Sequence, residues 1–251
     1  MWKATKAMFI GLVLLIMATS AYGKDAPAVP DDWEFNLAPL YIWGMFMSGD
    51  MTAKGTTNPV DVDFGDIVSN LSAIFTVHFE GVWKNQWGFL VDFSYVKLGG
   101  DQQTRGPTIH VDFEDIMTEG AGYYRFSKGP HAVDALFGVR YTYLKPTIGI
   151  GNLPRQTSNQ DWVDPIIGAR YIWSFADKWK LNLRADIGGF GVGSNFTYNL
   201  GGLIEFKPWK HVSILGGYRV LYQNYKDGSG IDEFKYDVTM HGPLLALNFT
   251  W

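Results

Sequence analysis

The chain has 251 residues, of which 47% are hydrophobic and 16% aromatic, with a formal net charge of −4 and no cysteine. The lack of cysteine excludes disulfides and thiolate metal sites, so an exported chain must be stabilised in another way. The acidic balance argues against nucleic acid as a partner. After the N-terminal segment, no stretch reaches the ~18 apolar residues that a membrane-spanning helix needs, so the apolar content is dispersed along the chain.

The N-terminus has the three parts of a secretory signal peptide. Residues 1–6 are basic, residues 7–17 form an apolar run, and Ala21-Tyr22-Gly23 is a small-x-small cleavage site. The apolar run is too short to span a bilayer as a helix, and a retained anchor is the alternative interpretation. We therefore predict a signal peptide at 1–23, followed by a flexible periplasmic lead-in at 24–32.

From residue 33 onward, large apolar residues alternate with small or polar ones, which is the pattern of half-buried β-strands. The first predicted strand, 33–47, places five residues on one face: Phe35, Leu37, Pro39, Tyr41 and Trp43. A polar connection at 48–70 follows, and then short turns alternate with longer loops. The later strands are predicted at 71–84, 87–95, 109–126, 133–143, 163–173, 179–187, 196–206, 212–225 and 236–251.

The last strand shows the alternation most clearly. One face carries Trp251, Phe249, Leu247, Leu245 and Pro243, and the other carries smaller and more polar residues. A final strand that ends on an aromatic residue resembles the closing strand of a bacterial outer-membrane β-barrel, in which Phe249 and Trp251 would be recognised by the barrel-assembly machinery. We predict an all-β fold over residues 33–251: a closed antiparallel up-and-down transmembrane β-barrel of about ten strands (about 8 to 12), with short periplasmic turns and long external loops.

Charged residues recur on the face opposite the apolar one. A soluble lipocalin-like barrel would turn that face to water, whereas a membrane barrel encloses it in the lumen. A barrel of about ten strands is close to the size that side chains fill, and an unpaired buried charge costs several kcal/mol, so we expect the charges to pair. The predicted lumen residues are Glu34, Glu80, Asp92, Glu119, Arg125, Asp134, Arg140, Asp164, Arg170, Lys180, Arg184, Asp186, Glu205, Lys207 and Arg219.

This lumen has two interpretations, a structural core of ion pairs or a narrow selective pore. Three inward arginines follow a glycine by two residues (Gly138, Gly168 and Gly217), and we expect these glycines to leave room for the guanidinium groups. Aromatic residues near strand ends are predicted to form interfacial girdles. They are Trp33, Trp43, Trp83, Trp87, Tyr143, Trp162, Trp173, Trp179, Trp209 and Trp251.

Two prolines fall in the first and last strands, which must pair to close the barrel. Pro39 and Pro243 each remove a ladder donor. One hypothesis is a weak seam that opens laterally for an apolar solute, and the alternative is a pair of β-bulges. The two prolines therefore predict a local interruption of the ladder at the seam.

Candidate catalytic and metal-binding groups are few, and we predict no enzyme activity, no cofactor and no metal. His78, Ser72 and Glu80 share a strand face, but a Ser/His/acid site needs three converging groups, and no nucleophile elbow is present. In the first long loop, Asp61, Asp63 and Asp66 do not have the spacing of a calcium loop, which favours a solvated external loop.

Several stretches resemble a family of bacterial outer-membrane β-barrel proteins of undetermined function, similar in architecture to the OmpW-like barrels. These stretches are 60–67, 70–71, 78–80, 87–88, 161–165, 168–171, 188–194, 236–239 and 242–243. The resemblance implies the cell outer membrane as location and membrane lipid as partner. We predict a structural role or passive transport of small, including hydrophobic, solutes through a narrow charge-lined lumen or a lateral seam. The alternatives are an outer-membrane enzyme with a rim active site and a binding or adhesion module that acts through external loops.

Overall fold

The computed structural model describes residues 32–53, 55–102, 109–150 and 156–251. The predicted signal peptide and all but the last residue of the predicted lead-in lie outside these ranges. Within them the chain forms one antiparallel sheet of fourteen strands and one short α-helix, α1 (Phe64–Ser69). The strands are β1 (Trp33–Ala38), β2 (Tyr41–Trp43), β3 (Phe46–Ala53), β4 (Thr56–Val62), β5 (Leu71–Trp83), β6 (Trp87–Gln102), β7 (Ile109–Lys128), β8 (His131–Ile150), β9 (Gln156–Thr157), β10 (Gln160–Ala176), β11 (Trp179–Gly188), β12 (Phe196–Phe206), β13 (Val212–Asp227) and β14 (Phe234–Thr250). No helix in the described part of the chain is long and apolar enough to cross a membrane.

The sheet closes into a barrel through its first and last strands. β1, β2 and β3 together make one wall strand, because all three pair with β14. β1 also pairs with β5, and the ladder continues through β6, β7, β8, β10, β11, β12 and β13 back to β14. The wall therefore has ten strands, and the predicted fold class is confirmed.

The two ends of the barrel differ in their connections. β5 and β6, β7 and β8, and β10 and β11 are joined by the short turns 84–86, 129–130 and 177–178, at the end that also carries the C-terminal Trp251. We call this the turn end. The opposite end, which we call the loop end, carries the β3–β4 hairpin, α1 and the connection 228–233.

The outer surface of the barrel is apolar, as the alternation predicts. In β14, Leu245, Leu247 and Phe249 point outward and are 55%, 50% and 40% exposed. Ala246 and Asn248, between them, point into the lumen and are 6% and 7% exposed. The lipocalin-like alternative, with the large apolar residues inside and the charges outside, is therefore wrong.

The first wall strand contains a one-residue bulge that sequence alternation did not anticipate. Below the bulge Leu37 pairs with Phe249, and above it Tyr41 pairs with Ala246, so Pro39 and Leu40 together oppose one residue of β14. One extra residue reverses the side to which all later side chains point. Tyr41, predicted on the same face as Leu37, consequently faces the lumen and is 5% exposed.

The connection at 48–70, predicted as a polar loop, is mostly ordered secondary structure. It contains the β3–β4 hairpin and α1, whose N-terminus has a capping box. The side chain of Asp63 accepts a hydrogen bond from the Asp66 backbone N–H, and the Asp66 side chain accepts one from the Asp63 N–H. These two carboxylates therefore cap the N-terminus of the helix, as expected of acidic residues at that end.

The glycines that precede the lumen arginines have a different role from the predicted one. A Cβ at Gly138, Gly168 or Gly217 would lie 1.9 to 2.3 Å from a carbonyl oxygen of the neighbouring strand. These positions allow the backbones of adjacent strands to approach closely, rather than leaving room for a guanidinium group.

Candidate functional site

The first of two ion-pair clusters in the lumen is centred on Asp134, which is fully buried. Arg125 donates to both oxygens of this carboxylate, at 2.7 and 2.9 Å. Arg170 donates to it at 2.8 Å and, through Nη1, to Glu80 at 3.0 Å. The Arg170 guanidinium also lies 4.8 Å from the ring of Tyr123. Both acids of this cluster therefore have an arginine partner.

The second cluster is centred on Arg140, which is also fully buried. Its Nη2 donates to Glu119 at 2.8 Å and to Asp186 at 2.7 Å. Arg184 donates to the same two carboxylates. Buried charges are tolerated when they are paired and hydrogen-bonded, as they are here. We call the members of the two clusters the charge belt: Glu80, Arg125, Asp134 and Arg170, with Glu119, Arg140, Arg184 and Asp186.

Asp92 and Arg219 lie at the same height in the barrel as the charge belt, but neither forms an arginine–carboxylate ion pair with another described residue. Asp92 pairs with His78, whose Nδ1 is 3.1 Å from the carboxylate. The Nε of Arg219 donates to the side-chain oxygen of Asn199 at 2.9 Å, and its guanidinium lies 4.9 Å from the ring of Trp43. Arg219 forms no ion pair with any other residue that the structure describes. Its immediate partners are therefore neutral.

The remaining predicted lumen residues lie outside the charge belt. Asp164 is buried but accepts from the backbone and hydroxyl of Ser194, at 2.6 and 2.8 Å, and so fastens the turn after β11 to β10. Its predicted ion pairing with the arginines of neighbouring strands is not formed. Lys180 and Glu205 form a loose pair of 3.8 Å near the turn end. Glu34 and Lys207 line the mouth of the barrel there.

The loop-end half of the lumen is apolar, which sequence reasoning missed. We call its core the methionine cluster: Met45, Met47, Ile67, Met117, Leu144, Trp162, Leu221, Phe234, Tyr236, Val238 and Met240, with Met51 packed against it. Every methionine after residue 23 belongs to it. The alternation of the strands did contain this information. Trp162 lies on the same strand face as Asp164, and Met117 lies on the same face as Glu119, so both point into the lumen.

Two of the ten residues that were predicted to form the interfacial girdles face the lumen instead. Trp162 is 4% exposed and stacks on Tyr225, with ring centroids 4.2 Å apart. Trp43 lies in the lumen beside Arg219 because the bulge at Pro39–Leu40 reversed its side. Aromatic residues that do lie exposed on the outside near the turn end are Trp83, Trp87, Trp173, Trp179, Trp209 and Trp251.

The wall has a gap in its ladder at the loop end. β1 pairs with β5 as far as Ala38↔His78. Beyond it, the Thr76 hydroxyl accepts a hydrogen bond from the Tyr41 backbone N–H and donates one to the Tyr41 carbonyl. Above Thr76, β5 has no ladder partner on this side among the described residues, since β4 pairs with β3 alone. Ile74 is on the lumen-facing side of β5 and is nevertheless 40% exposed. We call this gap the β4–β5 opening.

The seam between the first and last strands, where the two prolines lie, is closed. β14 pairs with β1, β2 and β3 in turn, and the Gly44 N–H donates to the carbonyl of Pro243 at 2.7 Å. Pro39 belongs to the bulge. The discontinuity of the wall is therefore on the other side of the first wall strand, next to β5.

The structure does not assemble the candidate catalytic set. His78 lies in the lumen between Asp92 and Glu80, at 3.1 and 3.7 Å. Ser72 is exposed and lies six residues from His78 along β5, about 20 Å at the usual rise of a strand. In the described residues, no three His, Asp or Glu side chains are grouped so that they could hold a metal ion.

A cavity of about 220 Å³ lies between the charge belt and the turn end. Tyr41, Asp92, Asn199 and Arg219 are among the residues that line it. It continues into a mouth of about 700 Å³, and Arg125 belongs to the walls of both. The lumen is therefore accessible from the turn end as far as the charge belt.

Comparison with solved structures shows what this architecture is similar to. The outer-membrane protease OmpT from Escherichia coli has a TM-score of 0.59 and 9% identity, with 91% of this chain and 99% of that chain covered. The chain has the fold of a bacterial outer-membrane β-barrel. The NalP translocator domain from Neisseria meningitidis (TM-score 0.46, 11% identity, 98% and 97% covered) and Ail from Yersinia pestis (0.39, 12%, 88% and 98%) are more distant.

Sequence comparison adds no further assignment. No protein-family model matches the chain, and a search of curated proteins found no match. The similar structures include a protease and also barrels whose names indicate translocation or attachment. A similarity at 9% identity shows the fold alone, so function must be argued from the lumen.

Proposed function

We propose that the protein is an integral outer-membrane barrel that passes a small apolar solute from the external side into the membrane through the β4–β5 opening. The outward band of Leu, Ile, Val and Phe and the aromatic residues at the turn end support a membrane location, with the turn end in the periplasm. The gap in the wall beside Ile74 carries the proposal, because there the ladder is interrupted and a lumen-facing apolar side chain is 40% exposed.

Passage straight through the lumen is unfavourable for either class of solute. An apolar molecule that crosses the charge belt would have to displace the paired groups around Asp134 and Arg140, leaving buried charges without partners. A hydrated ion would have to cross the methionine cluster, where it would lose its water without gaining polar partners. A lateral exit at the loop end avoids both costs.

The opening lies at a height suited to release into lipid. Ile74 is 83 − 74 = 9 residues from Trp83, which lies in the aromatic band of the turn end. At about 3.3 Å per residue and a strand tilt of about 40°, Ile74 is about 23 Å above that band, within the ~25 Å apolar zone of an outer-membrane barrel.

The methionine cluster and α1 are suited to transient binding. Methionine is unbranched and adapts to irregular apolar shapes, so the cluster can rearrange around a solute. On α1, Ile67 is 6% exposed and packs into the cluster, whereas its neighbour Val68 is 54% exposed. Ile67 therefore closes the lumen at the opening, and displacing it would give a solute access.

The test compares two substitutions on the same helix. Ile67→Ala removes the buried contact and Val68→Ala removes an exposed side chain. In a Gram-negative host that expresses each variant at equal level, Ile67→Ala is expected to raise the rate of uptake of the apolar fluorophore N-phenylnaphthylamine severalfold, and Val68→Ala to leave it unchanged. Equal rates for Ile67→Ala and the unchanged protein would contradict the proposal.

A second pair of variants tests the exit. Ile74→Lys places a charge in the β4–β5 opening and should reduce uptake to that of cells without the protein, whereas Ile74→Val should preserve it. Refolded protein in a planar bilayer should show no discrete ion conductance. Conductance steps would indicate an axial pore, and uptake unaffected by Ile74→Lys would leave a purely structural barrel as the better explanation.

A further inference from the structure

The cavity at the turn end is a blind pocket. Its mouth opens toward the periplasm in the proposed orientation, and its inner end is closed by the charge belt and, beyond it, by the methionine cluster. A solute that enters from the turn end meets the buried ion pairs of the charge belt and then the buried side chains of the methionine cluster. Such a space is suited to binding rather than to transport.

The mouth of the pocket is basic. The cationic residues that line it are Lys84, Arg125, Lys180, Lys207 and Lys210, against the acidic Asp32 and Glu34. Lys84 is paired with Asp32 at 3.4 Å, but neither Lys207 nor Lys210 forms an ion pair with another residue in the described ranges. The mouth therefore has an excess of positive charge, and such a cleft raises the local concentration of the opposite ion, so it attracts anions.

Arg219 lies at the inner end of the pocket. Its side chain is half-buried, and its partners are the Asn199 oxygen at 2.9 Å, the Trp43 ring at 4.9 Å and the hydroxyl of Tyr41. The carboxylates of Asp92 and Glu119 act on it electrostatically from further away, but each has a nearer cation of its own. A partly desolvated guanidinium with neutral neighbours favours an anionic partner.

We propose that this pocket binds a small oxyanion, a carboxylate or a phosphate, that arrives from the turn end and pairs with Arg219. The planar guanidinium suits either group because it can donate two parallel hydrogen bonds. Trp43 holds the guanidinium plane, Asn199 fixes its Nε, and the lysines of the mouth guide the anion inward. This site is separate from the β4–β5 opening and does not depend on lateral passage.

Isothermal titration calorimetry of the refolded full-length barrel in detergent tests the site, with inorganic phosphate and succinate as the two probes. At least one probe should give saturable binding. Arg219→Gln should weaken it about tenfold or more, since loss of one partner of a buried, hydrogen-bonded charge pair has effects of that size, and Arg219→Lys should retain part of it. Absence of saturable binding by both probes, or unchanged binding by Arg219→Gln, would overturn the proposal.

A pair of glycine variants tests the location without touching a charge. A Cβ at Gly201 or at Gly216 meets no atom within 4 Å, but Gly201 lines the cavity and Gly216 is on the outer face of β13. Gly201→Leu should fill the pocket and abolish binding, and Gly216→Leu should leave it intact. Heat-modifiable mobility on a gel verifies that each variant is folded, and binding that survives Gly201→Leu would place the anion elsewhere.

The mouth lysines supply a test that remains if Arg219 variants do not fold. The double variant Lys207→Gln/Lys210→Gln should lower the affinity at low ionic strength, and the difference should disappear at about 1 M salt, where the screening length falls to ~3 Å. An effect independent of salt, or no effect at low salt, would show that the mouth does not guide the anion.

Discussion

The two halves of the lumen solve the problem of filling a narrow barrel in opposite ways. The turn-end half uses arginines and carboxylates. Their hydrogen bonds have a fixed geometry, which holds each of these side chains in one conformation. The loop-end half uses methionine, leucine and aromatic side chains, which gain from burial but can repack. The contrast shows that one wall, with one alternation, can enclose a rigid polar region beside an adaptable apolar one.

The largest expected effect comes from breaking a pair in the rigid half. Asp134→Ala would leave Arg125 and Arg170 buried without their shared carboxylate, and we expect the free energy of unfolding to fall by about 3–5 kcal/mol. Urea unfolding of the refolded barrel, followed by tryptophan fluorescence, measures this. Glu233→Ala, which removes ion pairs with Lys226 and Lys235 on the exposed loop end, is the matched control and should show no measurable change.

In the apolar half the matching change creates a cavity. Leu144 is fully buried in the methionine cluster, so Leu144→Ala should lower the free energy of unfolding by about 2–5 kcal/mol, toward the lower end if the methionines fill the space. Leu245→Ala, on the outer surface at 55% exposure, isolates the effect of cavity formation. A cost for Leu144→Ala no larger than that for Leu245→Ala would show that the loop-end half is not a packed core.

The smallest expected effect concerns a carboxyl group that lies in the apolar half. Asp115 is 6% exposed, stands opposite Leu144 in the ladder, and forms no ion pair with another described residue. Asp115→Asn removes an unpaired buried acid and should raise the free energy of unfolding at pH 8 by about 1–3 kcal/mol. A lower stability would instead indicate that the carboxylate has a partner, and would weaken the contrast between the halves.

Much of this architecture follows from alternation alone. The closing strand is assigned correctly from residues 243 to 251, because one face is uniformly large and apolar. The inward side of the charged residues follows from the same period of two. The apolar half of the lumen could have been found in the same way, since Leu144 shares a face with Arg140, but large apolar residues were assumed to face lipid.

Other features depend on interactions that a local pattern does not contain. The bulge at Pro39–Leu40 exists because the chain from β1 to β2 has one residue more than the part of β14 that it pairs with. That partner is about 200 positions away in sequence, so the alternation within one strand does not predict the bulge. The partners of Arg140 lie on two different strands, β7 and β11, and were not predictable before the curvature of the wall was known. The β4–β5 opening likewise depends on where pairing stops.

The extra residue at Pro39–Leu40 limits how this sequence can change during evolution. Side chains before and after it take opposite sides of the same strand, and Met45 and Met47 follow Tyr41 and Trp43 into the lumen. Deletion of a single codon there would turn all four toward the lipid and leave the interior unfilled. In this strand natural selection therefore has to preserve the number of residues more strictly than their chemical type.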